Sequence, residues 1–122
     1  MIRLATRADY GFPPELYDIR FESSGDSALA RQIVALLADA AIPARTSPLT
    51  EARGKDGSGQ HKPGFDHGVF VPFKLMFEGV APVPVVQVSI DASLDPALEW
   101  ALGAALSPLR EQQILIIAGG LT

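Results

Sequence analysis

A carboxylate, an imidazole and a glycine stand in a row at Asp66-His67-Gly68. At a junction between a loop and a helix, that order aims a titratable ring into a cleft, where it takes up and releases protons near neutral pH. The same residues also serve a plainer purpose, in which Asp66 caps the next helix and His67 packs or hydrogen-bonds locally. On spacing alone the plainer reading is the better supported. The other histidine, His61, lies in Gly59-Gln60-His61-Lys62-Pro63 and reads as a solvated loop residue. Gly119-Gly120 follows an apolar run, but such a pair marks a turn of positive φ more often than a phosphate cradle, and no dinucleotide or P-loop pattern accompanies it. Asp91 and Asp95 flank a strand end and could bind a cation, although capping and turn formation account for both more simply. Tyr10, Tyr17, Phe70 and Phe73 are candidates to line an aromatic pocket or to fill a core. Trp100, beside Glu99, marks a packed interface or a partly exposed helix face.

Regular elements have to position these groups. Residues 25–41 carry Leu29, Ile33, Leu36, Leu37 and Ala40 at three- and four-residue spacing, with Ser24 or Asp26 as the cap and Pro43 as the stop, which predicts a helix. Residues 69–77 suit a short helix with Pro72 near its start. Asp95 and Pro96 open a further helix with a stripe of Leu98, Ala101, Leu102, Ala105 and Leu106, bent or ended by Pro108. Residues 2–6 read as a short, mostly apolar strand, 83–90 as a β-branched strand covered on both faces, and 114–118 as a fully apolar strand. Alternation of strand and helix predicts an α/β fold with a mostly parallel central sheet flanked by helices. Between these elements, residues 46–63 are polar and glycine-rich and read as a flexible loop, either a flap or an insertion.

The whole-chain figures narrow the chemistry. With 122 residues, 48% of them hydrophobic, the sequence is enough for one domain and not two. It has no cysteine, which excludes disulfides, thiolate metal sites and a cysteine nucleophile. A formal charge of -4, from 10 basic and 14 acidic residues, offers no field attractive to nucleic acid or an anionic membrane. Residues 1–10 lack the apolar region of a signal peptide, and the longest apolar stretches fall short of the ~18 residues of a membrane span. A cytoplasmic location is therefore expected.

Taken as a whole, Gly64-Phe65-Asp66-His67-Gly68-Val69-Phe70-Val71-Pro72-Phe73-Lys74-Leu75-Met76-Phe77 resembles the class III extradiol ring-cleavage dioxygenases of the LigB superfamily, in the 4,5-DOPA dioxygenase-type branch. The likeness extends through Asp9-Tyr10-Gly11-Phe12-Pro13-Pro14-Glu15-Leu16-Tyr17, Val83-Pro84-Val85-Val86-Gln87-Val88-Ser89, Ala101 to Arg110, and Ile114 to Thr122. It implies a mononuclear Fe(II) or Zn(II) site where a catechol-type substrate meets O2 and the ring opens beside its two hydroxyls. His67 is then the catalytic histidine that moves protons on and off substrate and oxygen, and Asp66 orients it. The resemblance also implies that the metal ligands lie outside this chain, since the family's N-terminal histidines and its His-Asn pair after the last strand have no counterpart here. His61 matches no ligand. Residues 1–122 are thus expected to form a single, incomplete LigB-type domain, with a partner chain as a candidate to complete it. The rival expectation is a non-catalytic α/β binding or interaction module that kept the scaffold and lost the metal.

Overall fold

A computed structural model describes residues 23–47, 65, 67–78 and 80–119, leaving aside the side chains of residues 67 and 70. Its first helix, α1, spans Ser27–Asp39. Asp26 sits just ahead of it in extended backbone, and its carboxylate accepts the Leu29 N–H at 2.8 Å, satisfying one donor the helix itself leaves open. Termination is local. Ala41 takes a left-handed φ of 57°, its N–H donates to the Ala38 carbonyl at 2.9 Å, and the Ile42 N–H donates to the Leu37 carbonyl at 2.8 Å. These two bonds are the Schellman ending, with Ile42 buried beside Leu37 as its apolar contact. The predicted stop, Pro43, stands two residues beyond this reversal.

Helix α2 spans His67–Phe77. It begins ahead of the predicted start at residue 69, so Pro72 falls inside it. The ring there has no N–H to offer the Gly68 carbonyl one turn back.

Helix α3 spans Pro96–Leu106, with Asp95 as its cap through a 2.9 Å bond from the Ala97 N–H and Pro96 in the first turn, as expected. The α-helix ends just ahead of Pro108, as expected, and the chain runs on. It continues as a 3-10 helix, Ser107–Gln112, and ends at Gln113 with φ 60°. Helices α1 and α3 pack together over Ile33, Leu37, Ile42, Leu106 and Leu109, with Leu37 fully buried. A hydrogen bond of 2.8 Å from Gln32 Nε2 to Gln112 Oε1 ties α1 to the 3-10 helix on the surface. Of the predicted stripes, Ile33, Leu37 and Leu106 are buried and Leu29, Leu36, Leu98, Ala101, Leu102 and Ala105 pack at the margin, while Ala40 is exposed.

The expected α/β architecture is not what the described residues form. Among them there is no strand beyond isolated bridge positions at Ala44 and Val80, and so no mostly parallel central sheet. The segment 83–90 contributes Val86 and Val88 to the margin of the helical core, buries Gln87, and leaves Val83 and Ile90 more than half exposed. Its Val85 N–H donates to the Ser24 carbonyl at 2.9 Å, and its Val83 carbonyl accepts from Ser23 Oγ at 3.5 Å. The segment 114–118 joins the margin of this core through Ile114. The remaining predicted strand, 2–6, lies outside the described residues. β-Branched runs reveal backbone that suits extension and side chains that need cover. They do not supply the neighbouring strand whose N–H and C=O groups make a ladder.

Candidate functional site

Helix α2 carries the sequence segment singled out for chemistry. His67 is its first residue, so the backbone sets this position at the N-terminal end, the positive pole of the helix dipole. Asp66 lies outside the described residues, whereas Phe65, ahead of it, is buried. Gly68 is exposed. Further along α2 the rings of Phe73 and Phe77, one turn apart, lie 5.5 Å between centroids and tilted by 43°, a favourable aromatic pair. Phe73 therefore pairs within its own helix. Tyr10, Tyr17 and His61 lie outside the described residues, so the proposed aromatic pocket has one described side chain. Lys74 stands in the last turn, complementing the negative end of the helix. Among the described residues α2 packs on neither α1 nor α3, and Val71, Leu75 and Met76 are exposed.

Asp91 and Asp95, the candidate cation ligands, are occupied by the turn that opens α3. Asp91 Oδ1 accepts the Ser93 N–H at 2.9 Å, and the Asp91 N–H donates to Glu99 Oε1 at 2.8 Å. The Asp95 carboxylate caps α3, the Asp95 backbone N–H donates to Ser93 Oγ at 3.4 Å, and Leu94 takes a left-handed φ of 52° at the bend. The Ser93 backbone N–H, with its hydroxyl, holds the Asp91 carboxyl well below the usual carboxylate range. These are the capping and turn roles that the sequence favoured. Gly119 is exposed, has open space around it and does not adopt a left-handed φ, and Gly120 lies outside the described residues.

Sequence reading passed over Gln87 as an interruption in an apolar run. It is 9% exposed and forms, with Val86, Val88, Ile33, Arg45 and Thr46, the wall of a shallow cleft beside α1. The signal was an amide amid β-branched residues, where a polar group must find a partner to be buried. For a metal, the described residues do not fit: among them no three His, Cys, Asp or Glu side chains gather to share an ion.

Compared with known proteins, residues 6–122 match the family model described as the catalytic LigB subunit of aromatic ring-opening dioxygenase. The chain belongs to the LigB family. A 4,5-DOPA dioxygenase extradiol-like protein of Schizosaccharomyces pombe is 43% identical over 112 residues, covering 92% of this chain and 33% of that protein. The 4,5-DOPA dioxygenase extradiol of Beta vulgaris is 36% identical, over 90% of this chain and 36% of its own length. The protein of that name from Escherichia coli is 34% identical, over 90% and 35%. The chain thus spans about a third of the length of these relatives, and the resemblance first read from Gly64 to Phe77 covers nearly all of it. It is a LigB-family, extradiol dioxygenase-related polypeptide. Among the described residues no helix is long and apolar enough to cross a membrane.

Proposed function

We propose that this LigB-family chain serves in oxidative opening of a catechol-type aromatic ring with O2, as a part of a catalytic unit whose Fe(II) or Zn(II) ligands it does not itself provide. The observation that carries this reading is the match over residues 6–122 to a ring-opening dioxygenase family, with His67 inside the matched segment. The chemistry assigned to this chain is proton handling. His67 accepts a proton from a substrate hydroxyl and returns one as the ring opens, a task suited to imidazole, which titrates closest to neutral pH. Asp66 holds the ring of His67, or the backbone beside it, in the orientation that this transfer needs. A cytoplasmic setting goes with this reading.

A chimera tests it. Residues 6–122 replace the corresponding segment of the Beta vulgaris 4,5-DOPA dioxygenase extradiol, and O2 uptake with DOPA is followed beside the parent enzyme. The chimera is expected to retain ring opening, and His67→Gln within it to lower kcat by about 10²–10⁴. A folded, metal-loaded chimera whose activity is indifferent to His67→Gln removes the catalytic role. The isolated 122-residue chain is expected to bind Fe(II) or Zn(II) weakly and to leave catechols intact. Stoichiometric metal binding with turnover by the chain alone overturns the partial-unit reading.

The exposed Leu75, Trp100 and Leu115 favour a second reading, a non-catalytic interaction module. An inactive but well-folded chimera selects it.

A further inference from the structure

Pro72 lies inside α2, and a proline has no N–H, so the Gly68 carbonyl lacks the donor that a helix supplies four residues on. A proline ring also crowds that oxygen, which opens a helix on the proline's side. Gly68 is exposed and has no side chain to cover its own backbone. Val71, 41% exposed, and Leu75, 81% exposed, stand three and seven residues further on, so they share the face of α2 that holds Gly68 and Pro72. A hydrogen-bond acceptor thus sits at one end of an open apolar stripe. We propose that this face is a binding subsite for an aromatic substrate, with a ring hydroxyl donating to the Gly68 carbonyl and the ring lying on Val71, Pro72 and Leu75. The identity of the ligand rests on the ring-opening reading above, and the proton transfer stays with His67.

The chemistry of the stripe selects a neutral hydroxyl on an apolar ring. A carbonyl oxygen accepts and cannot donate, so its partial negative charge repels a carboxylate or phosphate. Helix α2 has no acidic side chain and carries Lys74, so a protonated amine finds no counter-charge on it and meets a like charge two residues from Pro72. A phenolic O–H is uncharged and donates, and the ring behind it covers the aliphatic side chains next to the carbonyl. Water alone would leave those side chains uncovered. Gly68 follows His67 directly, so a hydroxyl held by its carbonyl is kept at the same turn of α2 as the residue assigned the proton transfer.

The experiment reads the carbonyl itself. Glycine is followed by valine only at Gly68-Val69 and Gly79-Val80, so isotope labels on glycine carbonyls and valine nitrogens isolate these two peptide groups by NMR, and Val80→Leu removes the second. In the full chain, catechol is expected to shift the Gly68 carbonyl resonance saturably, whereas veratrole, its dimethyl ether with no hydroxyl, does not. Pro72→Ala supplies the missing N–H and is expected to weaken catechol binding about three- to tenfold, the worth of one neutral hydrogen bond. Circular dichroism of that variant should show equal or greater helix content, because alanine removes the break. In the chimera the same substitution is expected to raise KM for DOPA by a like factor and to leave kcat within about twofold, a split that loss of folded protein does not produce. No Gly68 response to catechol, an equal response to veratrole, or undiminished binding by Pro72→Ala overturns the proposal. An active chimera whose KM ignores Pro72→Ala removes the subsite and leaves the ring-opening reading in place. An inactive chimera whose Gly68 carbonyl still responds to catechol and not to veratrole removes that reading and upholds the subsite.

Discussion

At Asp91 one carboxylate does local work that a metal reading would have assigned elsewhere. Its Oδ1 takes the Ser93 N–H, and that bond stabilises the charged form and draws the carboxyl below its ordinary range. A carboxyl whose folded value is depressed contributes stability that is complete above the unfolded value, about 3.9, and is lost as pH falls through the folded value. Asp91→Asn is therefore expected to lower the denaturation midpoint at about pH 7 and to lose that disadvantage progressively below about pH 4. Denaturant titrations of both proteins across this range check it, and a difference that stays constant with pH refutes it. His67 differs in kind. The sequence left it between catalysis and local packing, and family membership raises the first reading without deciding the role of the side chain.

Helix boundaries were legible because their causes are local. Asp26 and Asp95 each have a side-chain oxygen placed to take an N–H of the first turn, and Pro96 brings a backbone angle already suited to a helix. The end of α1 was misread because proline is a conspicuous stop, whereas the actual reversal at Ala41 places an ordinary residue where glycine is usual. An L-residue in the left-handed region costs about 1–2 kcal/mol, part of which glycine gives back in unfolded-state entropy. Ala41→Gly is accordingly expected to stabilise the chain by about 0.5–1 kcal/mol. Thermal and denaturant melts measure this, and destabilisation would show that the reversal is not strained.

On the scale of the molecule, burial is concentrated where α1 meets α3 and the 3-10 helix. Leu37, fully buried, fills the centre of that contact. Leu37→Ala is expected to cost about 2–5 kcal/mol through lost transfer energy and a residual cavity. Trp100→Ser, at a side chain 83% exposed, is expected to stay within about 0.5 kcal/mol of the unmodified chain. Equal losses in the two variants, measured by chemical denaturation, would place the core elsewhere. Apolar surface at residues 115–117 and on the outer side of α2 remains open among the described residues. Apolar surface of this kind is where further cover would gain most.

By itself the sequence determined the three helices to within a few residues, the capping role of Asp95, a cap for α1 at Ser24 or Asp26, and LigB membership, because caps, apolar stripes and the Asp66-His67-Gly68 segment act through neighbours close along the chain. Only the tertiary structure decided that the 83–90 run lies along a helical core with Gln87 buried and that Leu115 to Ile117 are exposed. The division has one physical cause. A helix makes its hydrogen bonds within its own segment, so its residues announce it. A strand bonds only to a neighbour, so an apolar β-branched run states a requirement that its own residues cannot meet.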